Sequence, residues 1–482
     1  GPRVRRKPPA GAIGGIRIAD LDGGDLGSRF MPTLRLTAIA LVLALSASCR
    51  GSEPVAPPAE PPVVAEPAPR AALPAKALPT RVGEGRVRHV VLFVADTLRA
   101  DRVPPLAAPR IHSPALAHHA RQAMVFEQAY STSNWTKSAM ASLLTGLEVH
   151  RHGALTHEHK LGEEHVLLME MLKAHGFYTA GVLTNGYLTK EYGFDRAWDR
   201  VIHAKDTGLA RGHFVAKEVE RILEERPLDQ PLFLYVHTTD VHAPYEPPPR
   251  DLAHYDRAPY KGAVRFGGDK LFIERIRRGE IPLKKRDRER LVALYDGEVS
   301  YHDRQFARVK RALARHGILD DAIFVFTSDH GEELFDHGSV SHGWRRLWQE
   351  LVRVPLMVSL PGGEPARRKE VVSLLDVLPT ILAEVGLRVD GAQPGRSLVG
   401  PLPESRPVLL ESFGIRGVID RGMKLIVRTY PRPAVTQLYD LRRDPHERHD
   451  LAAERPEEVE RLEALLEELR RGLFVASRVS DA

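Results

Sequence analysis

Three apolar runs in this chain each end in residues able to bind a metal ion. Asp96 follows Val90–Val94, Asp240 and His242 follow Leu232–Val236, and Asp329 and His330 follow Ile323–Phe326. Short β-branched runs separated by helical stretches read as buried parallel strands. The carboxyl ends of such strands share one edge of an open α/β sheet, where ligands bind. Three carboxylates and two imidazoles therefore converge, which is the donor set of a divalent metal centre.

A second chemical feature lies between the first two runs. Ser131–Gly146 opens with Ser-Thr-Ser-Asn-Trp-Thr-Lys-Ser and continues into a helical pattern that stops at Gly146. Backbone N–H groups and the positive end of a helix dipole gather around Thr136, where a phosphate or sulfate group binds well. A hydroxyl there that also ligates a divalent cation becomes a nucleophile, because the metal favours its alkoxide. On its own the segment is equally well read as an N-cap, and the metal strands supply the chemical reading.

The elements that must position these residues alternate along the chain. Expected helices are Pro114–Met124, Ser138–Leu144, Val166–Ala174, Phe214–Glu225, Asp287–Leu313 and Ser373–Val385, with further strands at Tyr178–Leu183 and Leu356–Leu360. This predicts an α/β fold with a large, mostly parallel central sheet flanked by helices over residues 87–400. Residues 401–482 are expected to form a small C-terminal α+β subdomain, with strands at Val408–Glu411 and Lys424–Arg428 and a terminal helix at Glu454–Arg471. The Lys/Arg-rich region Tyr255–Arg290 lacks a clean period and reads as a surface insertion or lid, or simply as a solvated loop.

The formal charge of +6 invites a nucleic-acid partner. Residues 1–86, however, hold 12 Lys/Arg against 7 Asp/Glu, so the remaining chain carries only +1. No nucleic-acid partner is expected for a nearly neutral folded part. Residues 1–30 read as an upstream or non-native segment. Residues 31–49 read as a signal peptide, with an apolar core at Leu36–Leu45 and small residues leading to Cys49, the single cysteine. That ending is similar to the lipobox of bacterial lipoproteins, with Leu45 one place early, and the alternative is an ordinary signal peptide. Residues 50–86, Pro/Ala-rich over Glu53–Pro79, read as a stiff tether. The expectation is an exported envelope lipoprotein held at a membrane by a lipid anchor.

Over residues 87–455 the chain resembles the sulfatase branch of the alkaline phosphatase superfamily. The resemblance rests on Val90–Ala100, on Thr136–Gly146 followed by His150-Arg151-His152-Gly153, and on Asp240-Val241-His242-Ala243-Pro244-Tyr245. It continues through Tyr295–Val299, Asp329-His330-Gly331-Glu332 and Leu438–Leu441 with Asp444-Pro445 and Glu447. It implies a hydrolase of anionic esters, sulfate or phosphate, carried by a small molecule, glycan or lipid. Asp96, Thr136, Asp329 and His330 match one divalent site, where mixed carboxylate and imidazole ligands favour zinc or manganese, with calcium a further candidate. Asp240, His242 and His342 match a second metal site, or His242 and His342 bind substrate and protonate the leaving group. His152 is expected to be structural, and Arg99 to brace the Asp96 loop or form a surface ion pair.

The chain also departs from that pattern. Sulfatases carry Cys or Ser, converted to formylglycine, within Cys-x-Pro-Ser-Arg. Here the position is Thr136, followed by Lys137, Ser138, Ala139 and Met140, so no formylglycine is expected. A threonine nucleophile is similar to that of superfamily members acting on phosphate esters, including phospho-headgroup transferases. Transfer of a phospho-headgroup to an envelope component is thus one alternative, and a non-catalytic sulfatase-like binding protein is another.

Overall fold

The computed structural model describes residues 80–472 apart from 82, 107–109, 205–210, 267–270, 344, 390–392 and 405. The expected signal peptide and most of the expected tether lie outside the described residues. The strands in chain order are β1 (Thr80–Arg81), β2 (His89–Ala95), β3 (Met124–Tyr130), β4 (Tyr178–Leu183), β5 (Arg200–His203) and β6 (Leu232–Thr238). They continue as β7 (Ala322–Thr327), β8 (Glu333–Leu334), β9 (Val340–Ser341), β10 (Leu356–Ser359), β11 (Ala366–Ser373) and β12 (Leu387–Arg388). The last four are β13 (Val408–Ser412), β14 (Ile415–Asp420), β15 (Met423–Arg428) and β16 (Val435–Asp440).

Eight of these form the central sheet in the order β11-β3-β10-β7-β2-β6-β4-β5. All its strands run parallel except β10, which is antiparallel to both β7 and β3. The continuous apolar runs follow from burial on both faces. Val91, Phe93 and Ala95 of β2 join one core cluster, and Val90, Leu92 and Val94 join another. The first cluster is covered by the helices Gly212–Glu225 and Lys285–Arg315, the second by Thr136–Thr145, Leu168–Lys173 and Val377–Glu384. Each fully buried Val or Leu contributes about 1.5–3 kcal/mol of transfer free energy. A chain built this way holds its sheet rigidly and leaves the strand ends free for chemistry.

The β2, β6 and β7 strands, whose carboxyl ends carry Asp96, Asp240 and Asp329, are direct neighbours. The carboxyl ends of β3 and β4 emerge on the same edge and feed Ser131–Thr136 and Asn185.

The second sheet is an antiparallel meander, β13-β14-β15-β16. One face packs on Tyr130, Leu347, Leu351 and Val371 of the main domain; the other takes Leu462 and Leu466 of the helix Pro456–Arg470. The Lys424–Glu447 pair, 2.6 Å apart and fully buried, ties β15 to the loop after β16. The large mostly parallel sheet and the C-terminal antiparallel sheet match the expected fold class.

Several expected boundaries move. The helix placed at Pro114–Met124 ends at Ala120, because the apolar Met124–Tyr130 is strand β3. Ser373 ends β11 and caps a turn of 3-10 helix, so the helix expected from 373 starts at Val377. The Tyr255–Arg290 region contains the helix Phe272–Arg277 and buries Val264, Phe266 and Phe272 against the core, so it is more than a solvated loop. No described helix is long and apolar enough to cross a membrane.

Candidate active site

Asp96, the residue after β2, is fully buried. Its Oδ2 accepts the Asn185 amide at 2.6 Å and lies 3.5 Å from His237 Nε2. Burial opposes its ionisation, but the imidazoles of His237, His242 and His330 outweigh that and hold the carboxyl well below the usual range. Asp329, two residues past β7, accepts the N–H of Thr97 at 3.1 Å and of His330 at 2.8 Å on Oδ1. Thr97 adopts φ +58° to make that bond, a conformation few non-glycine residues hold. His330 donates from Nδ1 to the Gly331 carbonyl at 2.9 Å, which leaves the Nε2 lone pair facing inward.

One ligand atom from each of Asp96, Asp329 and His330 lies within 4.8 Å of the others. The remaining oxygens, Asp96 Oδ1 and Asp329 Oδ2, are buried with no hydrogen-bond partner. Two buried carboxylate oxygens left unpaired cost several kcal/mol unless a cation meets them. The donor set therefore fits a divalent ion in charge and in ligand type.

Thr136 is the first residue of the helix Thr136–Thr145, whose residues are all buried and which Gly146 ends at φ +72°. The first intrahelical bond runs from Ala139 N to Trp135 O, so the amides of Thr136, Lys137 and Ser138 precede it. Such free amides form an anion-binding end. Thr136 Oγ1 lies 3.4 Å from His330 Nε2 and accepts from Asn185 Nδ2 at 3.3 Å. Asn185 thus joins the hydroxyl to a candidate metal ligand. Its Oδ1 takes the Tyr187 N–H at 2.8 Å, which fixes the amide orientation.

The neighbouring Lys137 donates to the carbonyls of His157 and His159 at 3.1 and 2.6 Å. Its ammonium lies among the rings of Trp135, Tyr187 and Tyr192, and burial lowers its pKa to about 8.

His342 stands over His330, with ring centroids 4.5 Å apart, and 5.1 Å from His242. Both outer imidazoles are held through Nδ1. His242 donates to Ala243 O at 2.6 Å, and His342 bonds Glu332 Oε1 at 2.8 Å. The other oxygen of Glu332 accepts from Tyr245 at 2.7 Å.

Asp240 does not join them. Its Oδ1 accepts the Gly212 N–H at 2.7 Å, at the start of the helix Gly212–Glu225, and its Oδ2 lies 3.7 Å from His302 Nδ1. A side chain at Gly212 would collide with Asp240 Oδ2. Among the described residues the close group of metal-type donors is Asp96, Asp329 and His330, and the expected second grouping of Asp240 with His242 and His342 is not found beside it. A helix N-terminus takes the carboxylate, and the described residues form one metal-type cluster. Arg99 does brace the Asp96 loop, bonding Asp101, Asp336 and the Glu332 carbonyl. His152 is buried against Ser142 and the Ala154 amide.

Sequence reasoning missed Asn185, His237 and Glu332 as site residues. Asn185 follows an apolar strand within two residues, the pattern that flagged the aspartates, and could have been found that way.

A carboxylate–imidazole cluster beside a hydroxyl at a helix N-terminus, on the carboxyl edge of a parallel sheet, is suited to chemistry on a tetrahedral anionic ester. The sulfatase family profile matches residues 88–387, and the chain belongs to that family. It is 24% identical to an arylsulfatase of Clostridium perfringens over 438 residues, covering 74% of this chain and 89% of that protein. Among solved structures it resembles a phosphonate monoester hydrolase of Agrobacterium radiobacter, with TM-score 0.66, 19% identity, and coverage of 80% and 95%. It equally resembles BT4656, solved with its substrate D-glucosamine-2-N,6-O-disulfate, with TM-score 0.66, 18% identity, and coverage of 80% and 98%. The family implies a divalent metal.

Proposed function

We propose that this protein hydrolyses sulfate or phosphate-type monoesters with Thr136 as nucleophile, phosphorus being the favoured centre. The observation that carries the reading is the Thr136 hydroxyl at a helix N-terminus, 3.4 Å from His330 and bonded through Asn185 to Asp96. Asp96, Asp329, His330 and Thr136 would hold the metal, their mixed carboxylate and imidazole donors favouring zinc or manganese over calcium. A bound divalent ion supplies charge that acidifies the hydroxyl and neutralises the ester oxygens.

The chain's own groups do the rest. Asn185 orients Thr136 Oγ1, and the leading helix amides bind the equatorial oxygens. Thr136 gives its hydroxyl proton to solvent and attacks in line, its bond to phosphorus or sulfur forming as the bond to the leaving oxygen breaks. His342 or His242, each fixed through Nδ1, protonates that oxygen from Nε2. Water then displaces Thr136 from the covalent ester, with the same imidazole accepting its proton.

Threonine is a direct hydroxyl nucleophile and must leave as an alkoxide in the second step. The family's phosphonate monoester hydrolase neighbour supports a phosphorus centre, and the arylsulfatase and disulfate-bound neighbours support sulfur. Export and anchoring through Cys49 are part of the same proposal, supported by the lipobox-like end and the Pro/Ala-rich stretch that follows.

The test is turnover of matched nitrophenyl sulfate, phosphate monoester, phenylphosphonate and phosphate diester, with Thr136→Ala as control and a chelator in one arm. The expected result is release from a phosphorus ester that falls at least about 10³-fold in Thr136→Ala and stops on chelation. Thr136→Ala turning over at the wild-type rate overturns the mechanism; a clear preference for sulfate moves the centre from phosphorus to sulfur.

A further inference from the structure

Each carboxylate of the candidate metal cluster has one oxygen already held by the protein. Asp329 Oδ1 takes the amides of Thr97 and His330 at 3.1 and 2.8 Å, and Asp96 Oδ2 takes the Asn185 amide at 2.6 Å. The opposite oxygens, Asp329 Oδ2 and Asp96 Oδ1, are buried and unpartnered. Beside them stand His330 Nε2 and Thr136 Oγ1, so each residue offers a cation a single atom. Glu332, in the same loop, adds none, because His342 and Tyr245 hold its two oxygens. A set of single nitrogen and oxygen atoms of this size suits zinc, which takes about four ligands. Calcium takes roughly six to eight oxygens and often grips carboxylates through both atoms, and manganese suits an octahedral oxygen set.

The side of Asp96 turned away from the cluster is built around His237. Strand β6 lies between β2 and β4, and His237 is level with Val94 on one side and Leu183 on the other. Asp96 and Asn185 each follow two residues later. The His237 carbonyl accepts the N–H and the hydroxyl of Thr184, at 3.1 and 2.9 Å, which fixes the residue just before Asn185. Its ring is fully buried, and Nε2 lies 3.5 Å from Asp96 Oδ2 with no closer partner. On the other edge of the ring Nδ1 faces the Tyr235 hydroxyl at 2.8 Å. A phenol that donates to Nδ1 places the ring proton on Nε2, aimed at the carboxylate. The other tautomer would set a nitrogen lone pair against an anion.

We propose that His237 selects the metal. Its Nε2–H, together with the Asn185 amide that its carbonyl supports, occupies Asp96 Oδ2. Asp96 can then give a cation only Oδ1, and the site takes zinc in preference to manganese or calcium. The inference rests on the hydrolase reading only for the presence of a divalent ion at this cluster. His237 is a positioning residue, since it acts through Asp96, as the partners of metal ligands commonly do. A buried imidazole kept for its shape alone would lower stability when lost but would treat all ions alike.

The experiment titrates zinc, manganese and calcium, each alone, into the metal-free full chain against a chromophoric chelator. His237→Leu, His237→Gln and Tyr235→Phe are compared with the wild type, and melting temperatures in excess chelator report folding. The wild type is expected to bind zinc most tightly. His237→Leu should lose about 10–100-fold in zinc affinity, with calcium affinity equal or higher because Asp96 Oδ2 is freed. Gln carries a donor close to where Nε2 stands and should restore most of the zinc preference. Tyr235→Phe keeps every ring but frees the imidazole to shift its proton; it should move the zinc-to-calcium ratio the same way by a smaller factor, and it decides the matter where His237→Leu does not fold. An equal loss for all three ions, an unchanged ratio, or a wild type that binds calcium as tightly as zinc overturns the proposal. Failure to bind any ion removes it together with the metal in the hydrolase reading. Zinc selection through His237 with no turnover of any nitrophenyl ester sinks the hydrolase reading alone.

Discussion

Lys424→Met tests whether the C-terminal sheet supports the loop that carries the candidate metal ligands. Lys424 and Glu447 are both buried, 2.6 Å apart, and burial pushes the lysine pKa down and the carboxyl up while their attraction opposes both shifts. Glu447 also accepts the Gln349 N–H at 2.6 Å. The next two carbonyls, of Glu350 and Leu351, hold the amides of Glu332 and Gly331 at 3.0 and 2.8 Å, directly after His330. Removing the ammonium leaves an uncompensated buried carboxylate, which costs about 3–5 kcal/mol. A folded unit of roughly 390 residues unfolds with an entropy near 0.8 kcal/mol per kelvin, at about 2.1 cal/mol/K per residue. The melting temperature should therefore fall by about 4–6 °C, measured by circular dichroism at fixed scan rate. Lys424→Met/Glu447→Gln removes the charge but keeps an acceptor for Gln349, so most of the loss should return. The single variant should also need more metal for half-maximal turnover. A loss below about 1 kcal/mol in the single variant, or a double variant no better than the single, would refute the reasoning.

Two further outcomes are expected. Glu332→Gln keeps the shape around His342 but loses the charge; turnover should drop about 10–100-fold for alkyl esters and much less for nitrophenyl esters, whose leaving groups need little protonation. Equal losses on both would remove His342 as the leaving-group acid. His119 is buried between Phe306 and Phe324 with neither ring nitrogen bonded, and burial pushes its pKa down to about 3. Its folded pKa lies below the unfolded value of about 6.5, so between those values the unfolded chain binds a proton that the folded one refuses. Stability is then lost as the pH falls below about 6.5. His119→Leu should shrink the loss between pH 7 and pH 5 by roughly 2 kcal/mol in urea unfolding; an unchanged gap refutes the assignment.

The central strands were legible because burial on both faces makes them continuous apolar runs, and Tyr178–Leu183 is found at the expected residues. Asp96, Asp329 and His330 converge for the same reason: their strands are neighbours. What the sequence hid was decided by tertiary partners. Asp240 sits at a strand end like the others, yet the amide of Gly212, 28 residues earlier, takes its carboxylate. Nothing in the local pattern announces that capture. Glu332 was visible only as part of a motif, and its second contact, from Tyr245 across 87 residues, exists only in the folded chain. The expected helix Pro114–Met124 overlaps strand β3 only at Met124, and the rest of β3 escapes notice because Glu127 and Gln128 interrupt the continuous apolar run that marks the other central strands.

The distance along the chain between the parts of the site has a kinetic consequence. The amide of Thr97 reaches Asp329 across 232 residues, and Thr136 meets His330 across 194. Contacts of such sequence separation form late, once strands from both halves of the chain have paired. A nascent or partly folded chain carries each reactive group but no assembled centre. Completion of the sheet is therefore the event that assembles the candidate centre, which no partly folded chain holds.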